Sequence, residues 1–252
     1  MNIEKHGSIA ILNMRAGKAN AMDRAFLDQL IAKVTEIAES DARALVVTGY
    51  ESFFSAGLHL PSLIELDRTA MRQFMEVFGK AMLRVFCLRL PVVAAMNGHA
   101  IAGGCVLALQ ADYRVMVQGP FKIGLNETML GISLPPTVLE PLRLQLGPGS
   151  WLPVALEGRL FAPDEALQLG LVDKLVPRDE LLTFAVARAE ALARVPQAAF
   201  ARVKLALRRQ AIGLIEETRE REAELWLDGW FEPTAQATLR AAVAKLTPAT
   251  RG

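Results

Sequence analysis

Short uncharged runs alternate with stretches of helical spacing through the first half of the chain. Residues 8–14 read Ser-Ile-Ala-Ile-Leu-Asn-Met, which predicts a first strand. After a loop at residues 15–20, Phe26, Leu27, Leu30, Ile31, Val34, Ile37 and Ala38 recur at helical intervals, with Asn20 or Asp23 placed to cap the helix. Residues 44–49 (Ala-Leu-Val-Val-Thr-Gly) and 91–96 (Pro-Val-Val-Ala-Ala-Met) are continuous apolar runs, the pattern of strands covered on both faces. Between them, residues 51–61 read as a loop and 65–90 as a helix. Residues 103–110 predict a short helix and 113–117 another strand. Alternation of this kind argues for an α/β fold with parallel pairing. Beyond Leu146 the character changes: residues 163–169, 178–195, 197–209, 215–230 and 231–246 all read as helices. The expected division is an α/β core over 1–190 and a helical region over 191–252.

Residues 90–111 carry no formal charge and are long enough for a membrane span. Pro91, Asn97, Gly98, Gly103 and Gly104 interrupt the run, so it reads as a buried strand, a turn and a helix start. The polar first seven residues give no expectation of a signal peptide. The 252 residues are 52% hydrophobic and 22% charged, which excludes a disordered or fibrous chain and supports a sizeable core without disulfides. A net charge of +1 supplies no global field for nucleic acid or an anionic membrane, although a local patch can still hold a phosphate. Cys87, Cys105 and the three histidines, His6, His59 and His99, show no metal-ligand spacing. The expectation is two buried thiols in a reducing, cytoplasmic setting, with no metal.

Candidate chemistry lies in three segments. Residues 54–60 (Phe-Ser-Ala-Gly-Leu-His-Leu) and 97–106 (Asn-Gly-His-Ala-Ile-Ala-Gly-Gly-Cys-Val) are glycine loops after buried strands. Glycines there let a ligand approach the backbone, and two amides aimed at one point would form an oxyanion hole. Each loop taken singly is equally explained by a turn or a packing glycine. The third segment, residues 122–132, holds Glu127 in an otherwise apolar run. Desolvation there would raise its pKa toward neutrality and suit a proton shuttle; the alternative is a solvated loop carboxylate or a helix N-terminal acid.

Together these segments resemble the crotonase (enoyl-CoA hydratase/isomerase) superfamily over nearly the whole chain. The matching motifs are Lys18-Ala19-Asn20-Ala21-Met22, residues 54–58, Asn97-Gly98, Gly103-Gly104-Cys105, residues 124–131, residues 162–166 and Gly170-Leu171-Val172-Asp173. The resemblance implies a ClpP-like spiral of β-β-α turns, a helical C-terminal oligomerisation region, and trimers or dimers of trimers. It implies an acyl-CoA thioester as substrate, with CoA as part of that substrate and no separate cofactor. Carried over residue by residue, the oxyanion amides fall on Leu58 and Gly103. Ala56, Gly57, Leu58, His59 and Leu60 line the CoA and thioester channel, as does Asn126 beside Glu127. Lys18 and Ala19 fall where the family touches the CoA nucleotide, and Lys245 where a basic residue reaches a CoA phosphate, often across a subunit boundary.

The departure from the family pattern concerns the acids. Hydratases of this superfamily use two glutamates; here Val106 occupies the first position and Glu127 the second. Adding water needs a base and an acid on two sides of the double bond, whereas moving a proton within one substrate needs one carboxylate. The wording Gly124-Leu125-Asn126-Glu127-Thr128, with Ala102-Gly103-Gly104-Cys105 and Asp112-Tyr113-Arg114, looks most like the mitochondrial-type Δ3,Δ2-enoyl-CoA isomerases. A hydratase, hydrolase or carbon–carbon lyase of the same superfamily would use the same two amides. A non-catalytic acyl-CoA- or RNA-binding homologue is the alternative of another class, and the net charge and the retained Glu127 speak against it. His59 and His99 read as hydrogen-bonded loop residues, and Met75, Phe78, Leu134 and Pro135 as a substrate-facing wall or ordinary core.

Overall fold

The structure, a computed structural model, describes residues 1–246. The end of the expected C-terminal region, residues 247–252, lies outside the described residues. β1 (Asn2–His6) and β2 (Ile9–Asn13) form an antiparallel hairpin, followed by α1 (Arg24–Ala38). Three strand-strand-helix turns come next. The first holds β3 (Ala44–Thr48), β4 (Phe53–Ser55), and the helices α2 (Leu60–Leu63) and α3 (Arg68–Phe86). The second holds β5 (Val92–Met96), β6 (His99–Ile101) and α4 (Gly103–Leu109). The third holds β7 (Tyr113–Val117), β8 (Ile123–Gly124) and α5 (Pro136–Gln145). Then follow α6 (Pro163–Leu169), β9 (Lys174–Val176), α7 (Leu181–Ala193), α8 (Gln197–Trp230) and α9 (Pro233–Leu246).

In each turn the first strand joins a large sheet and the second a small one. The large sheet runs β1-β2-β3-β5-β7-β9 and is parallel apart from β1; the small sheet, β4-β6-β8, is parallel throughout. This is the β-β-α spiral that the resemblance implies. The continuous apolar runs have a physical reason. Leu45, Val47, Ala94 and Met96 point into the core shared with α1, α3 and α4, while Ala44, Val46, Val93 and Ala95 point to the other face, covered by α7 through Leu181, Ala185 and Ala189. Both pleat faces are buried, so no polar alternation survives.

Several expectations need correction. Asp23, not Asn20, caps α1, its carboxylate accepting the Phe26 N–H at 2.8 Å. The loop read at 51–61 contains β4 and α2, and the helix expected from residue 65 begins at Arg68. Residues 197–230 form one continuous helix rather than two: the break at Gly213 is a single exposed glycine, which costs about 1 kcal/mol against Ala and does not interrupt the ladder. The region after Leu146 is not purely helical, because β9 pairs with β7. Residue 190 falls inside α7, which covers the large sheet, and the chain leaves that sheet near Pro196.

α8 is fastened to the core by buried charge. Lys204 Nζ and Arg208 Nη2, one helical turn apart on one face, bind the two oxygens of Asp112 at 2.6 and 2.8 Å. Asp112 Oδ2 also accepts the Val92 N–H at 2.8 Å. Lys204 further donates to Leu90 O at 2.9 Å, and Arg208 Nη1 donates to Phe86 O. Burial pushes the Lys204 amine down to about 8, with Asp112 pulling the other way. Among the described residues no helix is long and apolar enough to cross a membrane; the uncharged run at 90–111 becomes β5, β6 and α4.

Candidate active site

The small sheet assembles the site. Its three strands are parallel, so their C-terminal ends lie on one edge. β4 ends three residues before Leu58, β6 two before Gly103, and β8 three before Glu127. Ligand sites in parallel sheets form outside the carboxyl ends of the strands, and here that edge collects all three candidate catalytic residues.

The two amides are brought together by close backbone packing. Gly57 has φ +85°, and a Cβ on it would lie 2.8 Å from the Gly103 nitrogen. A Cβ on Gly103 would lie 3.2 Å from Gly57 Cα and 3.6 Å from its carbonyl carbon, the atom bonded to the Leu58 nitrogen. Gly57 has neither the φ nor the room for a side chain, and at Gly103 a Cβ would crowd Met22 and Gly57. Neither the Leu58 nor the Gly103 amide donates to another group among the described residues. Ala102, at φ +49°, turns the chain into α4, its own N–H donating to Gly124 O at 2.9 Å and its carbonyl accepting from Val106 at 2.9 Å. A non-glycine residue in that region stores about 1–3 kcal/mol of strain, a feature that clusters at functional sites.

The loop expected on the CoA side is zipped to the first amide. Ala56 N–H donates to Ala19 O at 3.0 Å, Met22 N–H to Gly57 O at 2.7 Å, and His59 N–H to Met22 O at 3.0 Å. Lys18, Ala19, Ala56, Gly57, Leu58, His59 and Leu60 are therefore neighbours. Asn20 holds this arrangement. Fully buried, it accepts from Ala16 N–H and donates to Met14 O and Phe54 O, while its own carbonyl accepts from Ser55 Oγ. Ala19 and Asn20 both sit at positive φ, 59° and 50°. Asn20 thus belongs to the site's scaffold rather than to a helix cap, and its place inside the 18–22 motif is the signal for that.

Glu127 opens a tight turn over Thr128–Leu130, and its carbonyl accepts from Leu130 and Ile132 at 2.9 and 3.0 Å. Thr128 Oγ1 anchors the turn to Ala155 O at 2.7 Å. Gly131, at φ +78°, lets α9 pack in: a Cβ there would lie 3.3 Å from Ala235. The residue is half-exposed, yet Glu127 Oε2 is buried with no hydrogen-bond partner. Burial pushes the carboxyl up to about 7, opposed only by its own backbone N–H. The Glu127 charge also reaches the buried Cys105 thiol on α4, whose pKa burial raises well above the ordinary range. Asn126 Oδ1, beside Glu127, is likewise buried without a partner. Val106 is fully buried in the core.

The histidines, Lys245 and the expected wall have other surroundings. His99 Nδ1 accepts the Lys122 N–H at 3.1 Å, and its ring packs between Phe53 and Phe121. Burial lowers its pKa, so it is a neutral packing residue. His59 Nδ1 lies 2.8 Å from Ser62 Oγ at the start of α2. Lys245 is exposed in the last turn of α9, ten residues beyond Ala235, where that helix packs on the Glu127 turn. Of the proposed wall, Met75 and Pro135 line a cavity of about 760 Å³ between α3, α5 and α8, and Phe78 is core.

Residues 4–242 match the enoyl-CoA hydratase/isomerase family. The chain is 27% identical over 241 residues to human mitochondrial enoyl-CoA delta isomerase 1, covering 94% of this chain and 80% of that one. It is 31% identical over 186 residues to a short-chain-enoyl-CoA hydratase of Clostridium acetobutylicum, covering 73% and 71%. The crystal structure of the human mitochondrial delta3-delta2-enoyl-CoA isomerase superposes with a TM-score of 0.92, covering 97% of each chain at 27% identity.

Proposed function

The chain belongs to the enoyl-CoA hydratase/isomerase family and is an enzyme acting on acyl-CoA, and from that premise we propose that it is a Δ3,Δ2-enoyl-CoA isomerase. One observation carries the reading: the Glu127 carboxyl, one oxygen of which is buried and accepts from no described group, with apolar Val106 where a second acid would stand.

In this proposal a 3-enoyl-CoA binds with its thioester oxygen at the Leu58 and Gly103 N–H groups. Glu127 takes a proton from C2; the electron pair of that C–H bond forms a C1–C2 double bond and the carbonyl pair moves onto the thioester oxygen, giving a dienolate conjugated with C3–C4. The two amides hold the negative oxygen, an interaction commonly worth about 10²–10³ in rate per donor. The protonated Glu127 returns the same proton to C4, the charge collapses, and the C2–C3 double bond of 2-trans-enoyl-CoA remains. Atoms and electrons balance without a cofactor, since CoA travels with the substrate. A carboxyl with a pKa of about 7 is suited to both halves, because it loses and regains a proton at small cost near neutrality.

Ala56–Leu60 and Asn126 line the thioester channel in this reading, Lys18 and Ala19 meet the CoA nucleotide, and Lys245 takes a CoA phosphate when a neighbouring copy completes the site. A homotrimer or a dimer of trimers, assembled through the helices after residue 190, is part of the proposal. The exposed Val203 and Leu207 on α8 support it. Fatty-acid β-oxidation in the cytoplasm is the proposed setting.

The test is a two-substrate assay of the purified wild type. A 3-enoyl-CoA should be converted to the 2-enoyl-CoA far faster than crotonyl-CoA is hydrated. Rapid hydration of crotonyl-CoA with the 3-enoyl-CoA left untouched would overturn the isomerase reading in favour of a hydratase.

A further inference from the structure

The Leu58 and Gly103 amides both rest on one residue, Met22. It lies one residue before Asp23, the cap of α1, and is fully buried. Its backbone forms an isolated parallel bridge to Leu58. The Met22 N–H donates to Gly57 O at 2.7 Å, and the Met22 carbonyl accepts the His59 N–H at 3.0 Å. In such a bridge the two bonds go to the residues flanking Leu58, so the N–H and C=O of Leu58 itself face away from Met22. The Gly57–Leu58 peptide is trans and planar, which sets its N–H opposite the carbonyl that Met22 holds. The Leu58 carbonyl is taken by the Leu60 N–H at 2.8 Å, in an inverse γ-turn centred on His59 at φ −74° and ψ 74°. Among the described residues, that leaves the N–H as the open backbone group of Leu58.

The Met22 side chain reaches the second amide. A Cβ on Gly103 would lie 3.0 Å from Met22 Sδ, so the thioether packs directly against that residue. The Ala102–Gly103 peptide is held from its other end, its carbonyl accepting the Val106 N–H at 2.9 Å. Met22 thus fixes the direction of one amide through its backbone and bounds the position of the other through its side chain. An unbranched thioether suits this place, because it fills a narrow gap beside a backbone without demanding a fixed shape.

We propose that Met22 is a positioning residue that sets the spacing of the Leu58 and Gly103 amides. The inference rests on the placement of the thioester oxygen in the proposed function, and it adds what holds the two donors in register around that oxygen.

Infrared spectroscopy of butyryl-CoA, isotopically labelled at its thioester carbonyl, tests the assignment. Butyryl-CoA has no double bond to move or hydrate, so the readout does not depend on which reaction the enzyme performs. On the wild type the C=O band should shift to lower frequency, because two donors polarise the bond. Met22→Ala should lose most of that shift while its affinity for butyryl-CoA changes little. Met22→Leu, which conserves the buried volume, should keep the shift. In turnover of a 3-enoyl-CoA, Met22→Ala should lower kcat by about tenfold to a hundredfold with KM nearly unchanged, the scale of a small misplacement of reacting groups, and Met22→Leu should restore it. Met22→Val removes the thioether but keeps more of the core, and carries the same test should the alanine variant not fold. A residue that served packing alone would lower the melting temperature and leave the band in place. An unmoved band and unchanged kcat in folded Met22→Ala or Met22→Val would therefore overturn the proposal. A wild-type complex without any shift would overturn the placement of the thioester oxygen, and this proposal with it.

Discussion

Glu127 and Asp112 are both carboxylates taken largely out of water, and their surroundings are opposite. Asp112, at the junction of α8 with the core, accepts from Lys204, Arg208 and the Val92 N–H. Glu127, at the edge of the small sheet, has an oxygen sealed from solvent that accepts from nothing. A buried polar group without a partner costs free energy, and native proteins leave few of them. The first carboxylate therefore spends its charge on holding two parts of the chain together. The second is left uncompensated, so its proton affinity rises to about 7 and it is available to a substrate. The same side-chain chemistry yields structure where its partners are complete and reactivity where they are missing.

The largest effect that would break this comparison is on turnover. Glu127→Gln keeps the shape and removes the base, so isomerisation of a 3-enoyl-CoA should fall by about 10²–10⁴ with little change in substrate affinity. Steady-state kinetics with binding measured separately will show it, and full activity in the variant would put the base elsewhere, with His59 the next residue to examine. Asp112→Ala should act on stability instead. It leaves Lys204 and Arg208 buried without their anion, a change that typically costs about 3–5 kcal/mol, read from urea unfolding at pH 7.

A smaller effect of opposite sign sharpens the contrast. The folded pKa of Glu127, about 7, lies above the value of 4.5 for a free glutamate. Between those values the native state binds more protons than the unfolded chain, so stability falls as pH rises from about 4.5 to 7 and stays reduced above. Removing the ionisable group removes that loss. Glu127→Gln should thus be more stable than the wild type by about 1–3 kcal/mol at pH 8, and no more stable at pH 4. Neutralising one carboxylate would stabilise the protein and neutralising the other would destabilise it. Denaturation of the two variants side by side at both pH values measures this directly.

Much of this contrast was legible in the sequence on one side only. Glu127 stands out as an acid inside an apolar run, and the glycines at 57, 103 and 104 mark places of close backbone approach. The central strands β3 and β5 are plain because both faces are buried. The strands β4, β6 and β8, which deliver the site, are two or three residues long, too short for any periodicity to show. β1 escaped because it is a polar edge strand with one neighbour. Asp112 with Lys204 and Arg208 was invisible for another reason: the partners lie more than ninety residues apart, and such pairing has no local pattern. Asn20 was read as a cap because its tertiary partners, Met14 and Phe54, are joined only by the fold.

The central claim is that Glu127, with one carboxyl oxygen buried and unpartnered, is an acid poised near neutrality, and infrared titration of its carboxyl tests that most directly. In the ligand-free enzyme, the C=O band of a protonated carboxyl should disappear as pH rises through about 7, and this band should be missing from Glu127→Gln. A wild-type spectrum with no carboxyl titrating above the ordinary range near pH 4.5, or a band at 7 that survives in Glu127→Gln, would contradict the account.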